Sequence, residues 1–327
     1  TLETTADHLR EWGHDVRFIA PQAFRTIPCP TYPDIRLSIF PRLHVYRILE
    51  KTRPDAVHVA TEGPLGWAAR AWCMKHDVAF TTSWHTRFPE YLRMRAPVPL
   101  ALSYAALRRF HAPAARTLVT TPSMRRQLQA RGFRNLVLWS RGVDAEMFRP
   151  TGKAALDHLP RPVSLYMGRV SVEKNIDAFL GVALPGSKVV IGDGPDLERL
   201  RAAYPDVHFL GAKFGDDLVR HVSAADVFVF PSLSDTFGLV LLEAMACGVP
   251  VAAFPATGPV DVVRQGVTGI LDDDLRRAVI AALNLDGRHC REHALRYTWE
   301  SCTGDFLRYL RPQQGVMHGA PLRVSVR

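Results

Sequence analysis

The chain carries two successive series of short, apolar, strand-like segments alternating with helical patterns, and the second series begins only after a proline-containing connector near Pro150–Pro162. The first series comprises Val16–Ala20, Ala56–Ala60, Ala79–Ser83, Thr117–Thr121 and Asn135–Trp139. The second comprises Val163–Met167, Lys188–Ile191, Val207–Leu210, Val227–Phe230 and Pro250–Phe254. Several of these runs are apolar at every position, as expected of parallel strands covered by helices on both faces. The pattern predicts an α/β protein of two doubly wound, Rossmann-like parallel-sheet domains in tandem. Its 327 residues suit two domains of roughly 150 residues each. Residues 1–150 are assigned to the first domain, 151–297 to the second, 298–312 to a closing helix and 313–327 to a tail. Ligands of such sheets gather at the carboxyl ends of the strands, so two facing sheets predict a site in a cleft between them.

The opening residues fit this frame with one element lacking. Thr1–Trp12 places Leu2, Ala6, Leu9 and Trp12 on one helical stripe and ends at Gly13, and the next segment is a strand closed by Pro21. A helix feeding a buried strand usually crosses over from an earlier parallel strand. The expectation is a chain that lacks its first strand and the loop after it.

Charge is distributed unevenly. Residues 1–150 hold 22 basic and 12 acidic side chains, and residues 151–327 hold 19 and 20, so the net +9 originates in the first half. Between Tyr91 and Val143 there is no Asp or Glu but there are ten arginines, among them Arg93, Arg95, Arg108 and Arg109. Such a surplus suits an anionic partner of the first domain. Met94, Val98, Leu100, Leu102, Tyr104, Leu107 and Phe110 are interleaved with these arginines, a composition that fits an interfacial segment on an anionic leaflet. No nucleic-acid-binding motif accompanies the run, and nucleic acid is not expected as a partner. Five widely spaced cysteines with no CxxC or Cys/His spacing predict free thiols, a reducing compartment and no zinc site. The longest apolar stretch, Leu239–Ala256, is broken by Glu243, Gly248 and two prolines, so no membrane-spanning segment is expected.

Two clusters can carry chemistry. Gly168-Arg-Val-Ser-Val-Glu-Lys-Asn175 follows a strand, with Arg169 and Lys174 supplying a forked guanidinium and a point-charge ammonium suited to a diphosphate at a helix start. In Ser232-Leu-Ser-Asp-Thr-Phe-Gly-Leu-Val-Leu-Leu-Glu-Ala-Met-Ala-Cys-Gly-Val-Pro-Val251, a helix is expected from near Thr236, with Gly238 leaving its first-turn N–H groups approachable. Asp235 and Glu243, eight residues apart, would be about 12 Å apart along a continuous helix. That exceeds the spacing of glycosidase carboxyl pairs, about 5–9.5 Å, so each carboxylate is assigned to a different hydroxyl-bearing part of one long ligand. Asp235 is also a natural helix N-cap. Glu243 interrupts an apolar run and would cost stability if left unpaired.

These segments, with the GDGP turn (192–195), Ser83-Trp-His-Thr-Arg-Phe-Pro-Glu-Tyr91 and Ser140-Arg-Gly-Val-Asp144, resemble the motifs of retaining glycosyltransferases of family 4, which have the two-domain GT-B fold. The likeness spans nearly all of residues 1–310 and is nearest to GDP-mannose-dependent α-mannosyltransferases and the sulfoquinovosyl-diacylglycerol synthases. Asp235 stands where the family's E-x7-E pattern has its first Glu, shortening the reach by about one methylene.

The resemblance implies roles. Arg169 and Lys174 would bind the donor diphosphate, Glu243 the ribose hydroxyls, and Asp235 the transferred sugar. The backbone N–H groups of Phe237, Gly238 and Leu239 would meet phosphate and sugar, Gly211 and Lys213 would lie near the base, and His85 would contact the sugar from the acceptor side. Arg93, Arg95, Arg108 and Arg109 would lie on the acceptor or membrane side. The implied co-substrate is a nucleotide-diphosphate sugar, GDP-mannose in preference to UDP-glucose, with no cofactor and no metal. The implied acceptor is a lipid or glycan, reached from the cytoplasm at the inner-membrane face of a bacterial cell envelope. The glycine-rich loop that follows the first strand in this family has no counterpart in the sequence. An oxidoreductase on the same type of sheet would need G-x-G-x-x-G, and Ile191-Gly-Asp-Gly-Pro-Asp-Leu197 has Leu at the third glycine position.

Overall fold

The computed structural model describes residues 1–29, 32–310, 312 and 322–326. Two compact units emerge: Thr1–Ser140 with Trp299–Arg327, and Arg141–Thr298. The expected boundary at 150 therefore moves to 140/141. Val143 and Phe148 belong to the core of the second unit, and Val143 N–H donates to the Tyr297 carbonyl at 2.9 Å.

In the first unit, six parallel strands stand in the order Asp15–Phe18, Arg323–Val326, Ala56–Val59, Phe80–Trp84, Arg116–Val119 and Leu136–Leu138. The five strands expected here all form. The tail assignment is corrected: residues 313–321 and 327 lie outside the described residues, but Arg323–Val326 is a strand between Asp15–Phe18 and Ala56–Val59. Leu322, just before it, and Val324 enter the core beside Val16 and Ala56, while Arg323 between them is exposed. Arg323 anchors the register through a forked contact to Asp55, at 2.9 and 3.1 Å. A small antiparallel pair, Thr26–Cys29 with Tyr32–Ser38, was not anticipated. The prolines through residues 21–41 obscure its alternation.

Local chemistry sets the helices. Pro122–Ala130 starts where Thr121 Oγ1 accepts from Met124 N–H at 3.3 Å, with Pro122 at a position that needs no donor. The closing helix runs Trp299–Tyr309 and packs Cys302 and Phe306 against Ala6 and Leu9 of the helix Leu2–Glu11. It is part of the first unit rather than a separate segment. Trp139, fully buried, donates its indole N–H to the Cys302 carbonyl at 3.0 Å, so its polar edge is satisfied inside the core.

In the second unit the parallel order is His208–Phe209, Ser187–Ile191, Val163–Met167, Val227–Phe230, Val251–Ala253 and Gly269–Leu271. Both faces are buried, as the apolar runs predict: Phe228 and Phe230 enter one core and Val227 and Val229 the other. Asp274 caps Leu275–Ala282, its carboxylate accepting from the N–H groups of Arg276 and Arg277. All five cysteines are free thiols. Among the described residues, no helix is long and apolar enough to cross a membrane.

Candidate functional site

The second sheet is parallel, so the loops leaving its strands at 168–175, 192–195, 211–214, 231–238 and 254–258 share one edge. Backbone hydrogen bonds fix them to one another. Gly168 N–H donates to Ile191 O at 2.9 Å, Val170 N–H to Asp193 O at 2.9 Å, and Gly192 N–H to Gly211 O at 2.9 Å. Gly192 has φ +144°, and a Cβ there would stand 1.8 Å from the Gly168 carbonyl oxygen, so only glycine fits. Tyr166 Oη, rooted in the core, donates to the Arg169 carbonyl at 2.8 Å.

The GRVSVEKN segment departs from expectation in its local structure. Val172–Lys174 is one 3₁₀ turn, Asn175 is left-handed at φ 55°, and the α-helix that follows, Ile176–Leu180, has only five residues. The cations, rather than a helix terminus, supply the positive charge here. Lys174 Nζ donates to both oxygens of Asp235, at 2.7 and 3.0 Å, with both side chains about one-fifth exposed. Two further bonds tie the same loops: Asn175 Nδ2 to Pro231 O at 3.1 Å, and Ser234 Oγ to Glu173 O at 3.1 Å.

The helix expected from Thr236 begins at Leu239 and runs to Ala246. The delay comes from Gly238, left-handed at φ 79°, where an added Cβ would meet Leu241 at 2.9 Å and Phe230 at 3.0 Å. Asp235 is therefore upstream of the helix and does not cap it; its carboxylate goes to Lys174. No side chain caps the helix, and no acid occupies its first turn, which leaves its amino end open to an anion. Glu243 lies one turn beyond Leu239, on the same helix face. Its carboxylate has no hydrogen-bond or ion-pair partner among the described residues, and burial pushes it up to about 7. Asp235 and Glu243 thus leave different elements, a loop and a helix, as two separate contact points for one extended ligand would require. Lys213 is less available than expected, since it pairs with Asp217 at 2.9 Å.

Arg169, Lys174, Gly211, Lys213, Asp235, Phe237, Gly238, Leu239 and Glu243 therefore all lie on the loops, or the first two helical turns, of one sheet edge. The other predicted residues belong to the first unit. His85 follows the carboxyl end of Phe80–Trp84, with Nδ1 3.3 Å from Ser83 Oγ. Ser83 is in turn 3.2 Å from Nε2 of the buried His58. Near it, Glu90 accepts from Tyr104 Oη at 2.7 Å and from Arg87 at 2.9 Å. This cluster was not singled out from sequence, though Arg87 and Glu90 have helical i,i+3 spacing. Arg93 is exposed, and the Arg95 side chain lies outside the described residues. Arg108 and Arg109 end the helix Leu100–His111 near the amino ends of Phe80–Trp84 and Arg116–Val119, the opposite edge of the sheet from His85. Among the described residues, no three His, Cys, Asp or Glu side chains group as a metal site would.

Two family models match: "Glycosyltransferase Family 4" over residues 1–147 and "Glycosyl transferases group 1" over residues 161–285. The sulfoquinovosyl transferase SQD2 of Arabidopsis thaliana is 31% identical over 90% of this chain, which spans 66% of that relative's length. The GDP-mannose-dependent α-mannosyltransferase of Mycobacterium tuberculosis is 30% identical over 81% of this chain and 77% of its own length. The enzyme of the same name in Mycolicibacterium smegmatis is 33% identical over 82% and 78%. Among solved structures, sucrose-phosphate synthase from Thermosynechococcus elongatus superposes with TM-score 0.70 at 22% identity, covering 94% of this chain and 91% of its own. Anabaena Alr3699/HepE, solved in complex with UDP, gives 0.64 at 17%, covering 81% and 80%.

Proposed function

Because the chain belongs to glycosyltransferase family 4 and has the GT-B fold, we propose that it is a retaining hexosyltransferase that takes mannose from GDP-mannose. The observation that carries this reading is the arrangement at one sheet edge of Arg169, the Lys174–Asp235 pair, an uncapped helix amino end and an unpartnered Glu243. These groups match the successive parts of a nucleotide sugar. Arg169 and Lys174 meet the diphosphate, with the N–H groups of Gly238 and Leu239 beside it. Ionised Glu243 accepts from two ribose hydroxyls, Asp235 holds the sugar, and Gly211 and Lys213 lie toward the base. His85, from the first unit, is assigned to the transferred sugar.

In this reading the acceptor oxygen attacks the anomeric carbon from the face that the diphosphate leaves. The C–O bond to phosphate breaks, the C–O bond to acceptor forms, and the acceptor proton passes to the departing phosphate oxygen. Arg169 and Lys174 stabilise the charge that develops on that phosphate. The preference for GDP-mannose over UDP-glucose rests on the mannosyltransferase relatives, and the Arabidopsis relative favours a UDP-sugar-dependent glycolipid synthase as the second reading.

The acceptor is proposed to be a lipid or lipid-linked glycan, with the protein peripheral on the cytoplasmic face of the membrane. The basic surplus of residues 1–150 supports this, as do Phe88, Met94 and Leu102, all exposed near Arg93. Thermal-shift screening against GDP-mannose, UDP-glucose and UDP-sulfoquinovose tests the donor: stabilisation by GDP-mannose alone is expected, and no stabilisation by any of them defeats the reading. Sedimentation with anionic against neutral vesicles tests the membrane role, and equal binding to both defeats it.

A further inference from the structure

A cavity of about 740 Å³ opens in the first unit, lined by Arg108, Arg109, Phe133, Arg134 and Asn135 among nine residues, none of them acidic. It belongs to the amino edge of the sheet: Asn135 O accepts from Thr117 N–H at 2.8 Å, and Ala115 N–H donates to Phe80 O at 2.9 Å. One of its three arginines is held by a neutral group. Arg108 donates to the Arg131 carbonyl at 2.9 Å, while Arg70, which is not part of the lining, donates to the carbonyls of Arg109 and Phe110, both at 3.0 Å. Arg109 and Arg134 have no hydrogen-bond or ion-pair partner among the described residues. The like charges are crowded: burial, and then the neighbouring Arg109 guanidinium, hold Arg70 below the ordinary arginine range.

The helices Leu100–His111 and Pro122–Ala130 end here, and their carbonyl termini offset part of this charge. Each terminus is equivalent to roughly half a negative charge, so two offset about one of three guanidiniums. A surplus of about two positive charges remains in a recess of small-molecule size. Forked donors lining such a space match the oxygens of a tetrahedral dianion better than a single carboxylate.

We propose that this cavity is a binding site for a phosphomonoester group, with Arg109 and Arg134 its main ligands and Arg108 a structural contributor. The site stands apart from the donor reading, because it uses none of the donor residues and lies at the opposite edge of the sheet from His85. Two sources present the same chemistry, a soluble phosphate and a lipid phosphomonoester headgroup.

The test uses the full chain and the double variant Arg109→Gln/Arg134→Gln, whose exposed positions keep the fold, as circular dichroism and Tm verify. Inorganic phosphate is titrated by calorimetry, and vesicles of phosphatidic acid in phosphatidylcholine are sedimented against charge-matched phosphatidylglycerol vesicles. Binding of either probe that weakens about tenfold or more in the double variant, and persists in Lys174→Met, supports the site. Phosphate binding alone identifies a soluble ligand, and preference for phosphatidic acid vesicles a lipid headgroup. Equal binding by wild type and double variant, equal sedimentation with both lipids without phosphate binding, or no binding at all overturns it. A donor misassignment shows separately, as wild type that binds phosphate here but no nucleotide sugar.

Discussion

Lys174 Nζ holds both carboxylate oxygens of Asp235, at 2.7 and 3.0 Å, across 61 residues of sequence. In the proposed donor site, one cation is therefore already matched to an acid. On the proposed reading, a diphosphate arriving here would compete with Asp235 for the ammonium, and the displaced carboxylate would be released toward a hydroxyl-bearing group. Lys174→Met is expected to lower kcat by about a hundredfold or more, the usual cost of losing one charge stabiliser of a transition state. Asp235→Asn leaves Lys174 free: affinity for GDP alone is expected to rise while transfer is lost, measured by titration and by turnover. Weaker GDP binding in Asp235→Asn would contradict the competition.

Glu243 gives a pH signature with a defined sign. Its carboxyl is raised from 4.5 to about 7 by burial, so the folded protein holds a proton there that the unfolded chain releases. Stability falls as pH rises from about 4.5 to about 7, by on the order of 3 kcal/mol, and is constant above. Glu243→Gln removes this penalty. The Tm of the variant is expected to exceed wild type at pH 8 and to equal it at pH 4.5. Donor affinity is expected to run the other way, since the proposed ribose contact needs ionised Glu243: wild-type affinity should rise through about pH 7 and that of Glu243→Gln stay low and flat.

Gly192→Ala forces a Cβ to within 1.8 Å of the Gly168 carbonyl oxygen at φ +144°. The backbone must move, with an expected loss of about 2 kcal/mol or more in urea unfolding. Because the displaced loop carries Arg169, donor affinity should fall in parallel. Full donor affinity in a destabilised Gly192→Ala protein would separate this loop from the site.

Arg169 and Lys174 are assigned the stabilisation of phosphate charge that a divalent ion gives in other transferases. Transfer is expected to survive an excess of EDTA unchanged. Loss of turnover on chelation, restored by Mg²⁺ or Mn²⁺, would remove these two side chains from that role.

What could be read from sequence follows from the range of the forces involved. Val227–Phe230 declares itself because every position is apolar, and the structure buries every position. Glu243 stands out because an acid in an apolar helix has no local excuse. The role of Asp235 was less legible: a carboxylate just before a helix reads as a cap, and only the fold brings Lys174 from 61 residues upstream to claim it. The start of that helix shifted for a related reason, since Gly238 takes a left-handed conformation against the Phe230 ring, a tertiary contact. Arg323–Val326 is a four-residue run whose partners lie near residues 15 and 56, and nothing local marks so short a segment as a strand. The arginines were readable as a surplus but not as a recess, because pairing Arg108 and Arg109 with Arg134 depends on where two helices end.

The return of residues 299–309 to pack on the helix Leu2–Glu11 has a consequence for biosynthesis. The second unit, residues 141–298, is one uninterrupted stretch, whereas the first is assembled from stretches on either side of it. As the polypeptide leaves the ribosome, the second unit is complete before Phe306 can fill its place beside Leu9 and Trp139. The segments made before the second unit must wait, with that hydrophobic surface uncovered, for those made after it. Their exposure during this interval makes the first unit the part of the protein that most depends on chaperones, and the second the part best suited to independent expression.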